Sequence, residues 1–339
     1  MPVKNIKDIA ALAGVSYSTV SRVLNGKEYV NEKTRKKVLD VLEQNDYQPN
    51  ALAQCLKNGQ TKTICLIVPS ITNGIFGPIC EGVSDMAREN GYTLILCNTN
   101  EDMDIEGDFV EKMKQRWADG FIIASSRGDK KIIDKLIADN IPLVLITRFR
   151  KEYVGKADII SVDNYKAAYE GTRYLIDKGF KRIAFASGDK SLQFYRERLR
   201  GYKDAMKDAH LEIYDDLIMQ RDDSSDDFYE LTLKAMQSKN CPEAFFASSD
   251  PKAITIFRAL HELKKNIPDD ISVLGFDDIQ MASMLEPPLS TIAQPLYEFG
   301  KVSCASIIKQ IEHKNKFGKL PKPIKHVMDY RLIIRQSTK

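Results

Sequence analysis

The stretch IKDIAALAGVSYSTVSRVLNG, Ile6 to Gly26, decides how the N-terminal part of this 339-residue chain folds. Apolar residues at Ile9, Ala10 and Ala13 and again at Val20, Val23 and Leu24 keep helical spacing on either side of Gly14. Two short helices joined by a tight turn follow from that pattern. Ser16 stands where an N-cap belongs, ahead of a second helix expected over 17–24. Its polar face is expected to carry Tyr17, Ser18, Ser21 and Arg22, the kinds of side chain that reach base edges and phosphates when a helix lies in the major groove. The plainer alternative is a helical hairpin whose polar face only meets water.

Working outward, Asn31 is placed to cap a third helix over 32–45, with Val38, Leu39, Val41 and Leu42 as its apolar stripe. Lys33, Arg35, Lys36 and Lys37 gather at its start, beside the reading helix. Pro49 and Asn50 then open a brief helical segment, 51–57, closed by Asn58 and Gly59. Seven residues are too few to hold a helix alone in water.

These residues together, Val15 to Asn25, the corner Tyr47 to Asn50 and the hinge Ala53 to Leu56, resemble the lactose-repressor (LacI/GalR) family of bacterial transcription regulators, and the likeness runs to the C-terminus. It implies an all-α helix-turn-helix head over 1–48, a hinge helix and linker over 49–61, and a periplasmic-binding-protein-like α/β core over 62–339. The core would hold two doubly wound parallel-sheet subdomains, 62–160 with 292–321 and 161–291 with 322–339. It implies further that Tyr17, Ser18 and Arg22 face bases, that Ser16, Thr19, Ser21, Asn25, Thr34 and Asn50 position the DNA backbone, and that Ala53 and Leu56 belong to a hinge whose leucine wedges into the minor groove. Such a wedge costs on the order of a few kcal/mol of unstacking, which added contacts offset.

Composition agrees with two functions in one chain. Residues 1–62 hold ten Lys or Arg against six Asp or Glu, a net +4, while the remainder holds forty against forty-one, a net −1. The positive excess therefore belongs to the head, where a polyanion is the expected partner. No apolar run reaches the roughly 18 residues of a membrane span. A cytoplasmic protein acting at the nucleoid is expected, with no membrane partner. The six cysteines, Cys55, Cys65, Cys80, Cys97, Cys241 and Cys304, show neither metal spacing nor a disulfide framework and are read as free thiols.

From Thr63 on, β-rich runs alternate with amphipathic helices: TICLIV, TLILC, GFIIA and PLVLI in one half, RIAFAS, LIMQ, AFFAS and ISVLGF in the other. That order makes parallel sheets buried on both faces, with ligands beyond the carboxyl ends of the strands. The resemblance implies three crossings between halves, near Ser161, Thr291 and Pro321. It also places an effector between the halves, held by Phe76, Thr147, Arg148, Arg198, Ser249, Asp277 and Gln294. Thr147 and Ser249 depart from the family's usual aspartate and asparagine. These departures speak against a simple sugar, and Arg148 and Arg198, with Lys190 nearby, point to an anionic ligand such as a sugar acid; the effector is expected to be a sugar, a sugar acid or a related metabolite. The plainer alternatives are that Arg148 pairs with a surface carboxylate and that Asp250 caps the helix begun by Pro251.

Catalytic chemistry is not expected. His210, His261, His313 and His326 are scattered, and no Walker loop, dinucleotide fingerprint or nucleophile elbow occurs. The acidic run from Arg221 to Asp227 lacks the pattern of a calcium loop and reads as a helix start capped by Ser224. Trp117 reads as packing. No metal and no cofactor is expected. The expected function is a repressor of transcription that binds a palindromic operator as a homodimer under effector control. Two alternatives stay open: a catabolite-control-type regulator with a protein corepressor, and a solute-binding protein with no DNA role.

Overall fold

The computed structural model describes residues 5–24, 29–47, 60–116, 118–124, 130–221 and 225–339. The expected hinge helix, Asn25, Asn50, Ala53, Leu56, Cys55, Trp117 and Ser224 lie outside these residues. The chain parts into two compact units, 1–61 and 62–339.

In the first unit, α1 (Ile6–Leu12), α2 (Tyr17–Leu24) and α3 (Glu32–Gln44) close on one apolar cluster of Ile9, Ala10, Ala13, Val20, Val23, Val38 and Leu42. Gly14 makes the sharp turn between α1 and α2 at φ 61°, where the Val15 amide bonds back to the Ala10 carbonyl at 3.0 Å. That is a left-handed helix stop, which costs glycine nothing. Ser16 Oγ accepts from the Thr19 amide at 3.2 Å, and Asn31 Oδ1 from the Lys33 amide at 2.9 Å, so both expected caps form.

The second unit holds two six-stranded sheets. The first runs β11 (Lys325–Met328), β5 (Asp158–Val162), β4 (Leu143–Ile146), β3 (Gly120–Ile123), β1 (Thr63–Val68) and β2 (Thr93–Asn98), all parallel. In the second, β10 (Ser290–Ala293), β9 (Ser272–Asp277), β8 (Ala244–Ala247), β6 (Ile183–Ser187) and β7 (Ile218–Gln220) run parallel, and β12 (Arg331–Ile333) pairs antiparallel to β10. The central strands are buried along their whole length, as their unbroken apolar runs require.

Helices pack closely on both sheets. In the first half, α4 (Phe76–Glu89) meets α11 (Leu296–Phe317) through Gly82 and Gly300; a Cβ at either would collide with the carbonyl oxygen of Tyr297 or of Ile79. In the second half, α7 (Asn164–Asp177) meets α8 (Gln193–Asp208) in the same way at Gly201.

The chain leaves the first sheet after Val162 and returns after Ala293, close to the expected crossings. The third crossing differs. β11 still belongs to the first sheet and β12 to the second, so the chain crosses at Asp329 and Tyr330 rather than near Pro321. Residues 322–328 therefore lie with the first subdomain, because Lys325–Met328 extends its edge beside Ile159 to Val162.

The C-terminal residues stitch the second sheet together. Ser337 Oγ accepts from the Ser290 amide at 2.7 Å and donates to the Val273 carbonyl at 2.6 Å, all three residues being buried. Ser337→Ala strands both backbone groups, and we expect a loss of about 1–3 kcal/mol in chemical denaturation. Ser283→Ala, which removes one hydroxyl from an exposed 3₁₀ turn, is the control and should stay within about 0.5 kcal/mol.

Candidate functional site

In the head, α2 presents Tyr17, Ser18 and Arg22 to solvent, with Tyr17 49% exposed. Ser16 Oγ lies 2.7 Å from Ser18 Oγ and 2.8 Å from Thr19 Oγ1, so three hydroxyls cluster at the start of the helix. Thr34 is half-buried. Ser21 departs from the expected exposed face. It is buried, since one step past Val20 and three before Leu24 puts it on the flank of the apolar stripe.

The core site sits where both sheets point their carboxyl ends. Thr147 and Arg148 follow β4, Ser248 and Ser249 follow β8, Asp277 ends β9 and Gln294 follows β10. Two of these corners are strained: Thr147 has φ 54°, and Asp277 and Asp278 have φ 120° and 59°. Non-glycine residues hold such angles only where the surroundings impose them.

Arg198 is the centre of the network. Its Nε donates to Asn164 Oδ1 at 2.8 Å and its Nη1 to the Ser248 carbonyl at 2.5 Å; Asp277 lies at 3.6 Å, and the guanidinium sits 3.4 Å over the Phe276 ring. Gln294 Nε2 donates to Asp277 Oδ1 at 2.7 Å. Burial pushes the Asp277 carboxyl up to about 6, against the pull of Arg198. Asp250 is likewise pushed well above the usual carboxylate range, by burial and then by the charge of Asp277. It does not cap its helix: Oδ1 accepts from Thr291 Oγ1 at 2.7 Å and Oδ2 from the Ile279 amide at 2.9 Å, tying α10 (Asp250–Glu262) to the crossing strand β10.

Six of the seven expected effector residues, Thr147, Arg148, Arg198, Ser249, Asp277 and Gln294, line one deep hollow of only about 20 Å³. That is room for about a water molecule, and the rings of Phe194 and Tyr195 form part of its wall. Outside it lies a cavity of about 670 Å³, lined by Phe76, Arg148 and Tyr195 among others. Arg148 belongs to both spaces. Its Nη1 meets Glu101 at 2.7 Å, and Phe76 and Phe194 flank it at 5.6 and 5.3 Å. Lys190 is exposed and lines neither space. The hydroxyls of Thr147 and Ser248 are buried beside the hollow without a hydrogen-bond partner in the protein.

The family description "periplasmic binding proteins and sugar binding domain of LacI family" matches residues 61–330, and "bacterial regulatory proteins, lacI family" matches residues 5–50. The chain belongs to the LacI family. It is 32% identical over 337 residues to the ribose operon repressor of Halalkalibacterium halodurans, covering 98% of this chain and 97% of that protein. Its fold matches the structure of the lac repressor dimer bound to operator and the anti-inducer ONPF with a TM-score of 0.86 at 25% identity, covering 100% of this chain and 99% of that one. A complex of the regulator CelR with cellobiose matches with a TM-score of 0.74 at 25% identity, covering 99% and 100%. This LacI-family protein is a sequence-specific DNA-binding transcription regulator under small-molecule control.

Its cleft also holds residues that the sequence did not single out. Lys252, 1% exposed, donates from Nζ to Tyr195 Oη at 2.8 Å, to Ser249 Oγ at 3.1 Å and to Asp226 Oδ1. Burial works to lower its pKa, and Tyr195 and Asp226 more than offset that, so the ammonium stays protonated. Asp226, read from sequence as part of a helix start, is this lysine's partner instead. Among the described residues no group of three metal-ligating side chains occurs, and no helix is long and apolar enough to cross a membrane.

Proposed function

We propose that the effector of this LacI-family regulator is a neutral, polyhydroxylated metabolite of sugar type bound in the outer cavity, and that two copies of the chain act on a palindromic site. One observation carries the choice of a neutral ligand: among the described residues, the three cations that line the cleft are each already matched. Arg148 faces Glu101, Lys252 faces Asp226 and Arg198 faces Asp277. An incoming carboxylate would have to break one of these pairs, and a sugar acid therefore loses ground to a sugar. Hydroxyl donors, by contrast, suit a wall holding Glu101, Asp189 and Asp226, while the rings of Phe76 and Tyr195 suit the apolar face of a pyranose or furanose. The names of the relatives lean the same way, toward ribose and cellobiose.

A single head covers too little DNA for tight specific binding, which supports a dimer. Ligand entry that displaces Phe194 or shifts the halves would change the relation between the two first subdomains and so the grip on DNA. Calorimetric titration of the full chain with cellobiose and ribose, beside cellobionate and gluconate, tests the ligand class. The neutral sugars should bind more tightly, and tighter binding of either acid overturns it. A gel shift on DNA from the chain's own upstream region tests DNA reading separately.

A further inference from the structure

The C-terminal part of α11 and the loop after it carry a charge that the head's function does not absorb. Residues 309–326 hold Lys309, Lys314, Lys316, Lys319, Lys322 and Lys325 against one acid, Glu312, a net +5, whereas the rest of 63–339 carries −6. Five of these lysines are exposed and Lys314 is half-buried. None of the six forms an ion pair among the described residues. Elsewhere on the core, pairing is common: Lys112 meets Asp108, Lys130 meets Glu152 and Lys135 meets Glu111.

The position of this segment is fixed by the sheet. Gln310 bonds both the amide and the carbonyl of Leu143, at 2.9 and 3.1 Å, where β4 begins. Ser306 Oγ donates to Asp158, where β5 begins, and the Ile324 amide reaches the same carboxylate at 2.9 Å. Since β1, β4, β5 and β11 run parallel, these starts share one edge. Beyond Gln310 the helix continues seven residues to Phe317, roughly 10 Å past that edge at 1.5 Å per residue. Lys62 enters at the same edge, its amide on Asp119 at 2.8 Å, and it is through residue 62 that the DNA-reading head is attached.

Simpler roles cover part of the cluster. Lys314 and Lys316 suit a helix C-terminus, and Lys325 suits an exposed edge strand. Neither role reaches Lys319 and Lys322, which follow the helix stop at Gly318.

We propose that this basic edge is a second DNA-contacting surface, holding phosphates that flank the site read by the head. It rests on the head binding DNA and adds a sequence-independent contact made by the core. Its signature is electrostatic: each phosphate neutralised adds roughly 0.9 to the slope of log K against log salt. The test compares the full chain with a variant carrying Lys316→Gln, Lys319→Gln, Lys322→Gln and Lys325→Gln. Binding to a random-sequence 40-base-pair duplex is followed by anisotropy across a salt series. The variant should lose about tenfold or more in affinity at low salt, and its slope should flatten by roughly one to two. Shortening the duplex to 16 base pairs should remove the difference between the chains. Equal slopes on the long duplex overturn the proposal; if the native chain alone then binds heparin, the edge serves another polyanion. Failure of the unsubstituted chain to bind any duplex would instead overturn DNA reading itself, and this surface with it.

Discussion

Arg198→Met should be the most damaging single change in the core, costing about 3–5 kcal/mol of stability and abolishing the response to effector. Arg198 is 5% exposed, and its guanidinium joins four groups: Asn164, the Ser248 carbonyl, Asp277 and the Phe276 ring. Methionine fills much of the space but leaves Asp277 buried without its nearest cation. The penalty therefore depends on whether Asp277 is charged. Its carboxyl already titrates near 6 in the folded chain against 3.8 ordinarily, so the fold takes up a proton, and stability from this group falls as pH rises between those values. Losing Arg198 moves its pKa further in the same direction. The gap between native chain and variant in denaturation midpoint should thus be widest above pH 7 and narrow as pH falls through 6. A gap that stays constant from pH 5 to 8 would show that packing, not charge, dominates. Adding Asp277→Asn should restore part of the loss, with a coupling of about 1–3 kcal/mol in the double-mutant cycle.

How far the sequence spoke depended on whether a signal was local. The helix-turn-helix was legible because Gly14, the Ser16 cap and the apolar spacing of Ile9 to Leu24 all act within one turn or two. The inner strands were legible for a similar reason: burial on both faces demands unbroken runs such as TICLIV and PLVLI. β11 was not, since Lys325, His326 and Val327 are exposed on an edge and carry no apolar run. Its membership of the first sheet is decided by pairing with Ile159 to Val162, more than 160 residues earlier. Arg198 and Asp277 were found through the motif resemblance, and the fold brings them together. Ser21 was misplaced because a serine reads as polar while its angular position beside Val20 buries it. Asp250 read as a cap because aspartate after serine at a helix start usually is one, yet its partners Thr291 and Ile279 arrive from the far end of the subdomain.

Lys252 was the least legible and leads to the second large effect. Its partners lie 57 residues away at Tyr195 and 26 away at Asp226, and a lysine in the first turn of a helix ordinarily points to water. The available clue was spacing: Lys252 precedes Ile256 by four residues and so shares the buried face of α10. With all three ammonium hydrogens used by protein acceptors, it acts on the ligand indirectly, by aiming Tyr195 and Asp226 at the cavity and Ser249 at the hollow beside it. Lys252→Met should therefore cost about 1–3 kcal/mol, less than a fully buried broken pair, because the Asp226 side chain is 30% exposed and can rehydrate. Affinity for whichever of cellobiose or ribose the native chain binds should fall tenfold or more in calorimetry. Asp226→Asn keeps an acceptor for the lysine and should lose less of both. Thermal denaturation separates the two roles. If Lys252→Met lowers stability but leaves sugar affinity intact, the lysine is only a brace of the second subdomain; if Lys252→Met with Asp226→Asn regains stability without regaining affinity, its aim at the cavity is what the ligand senses.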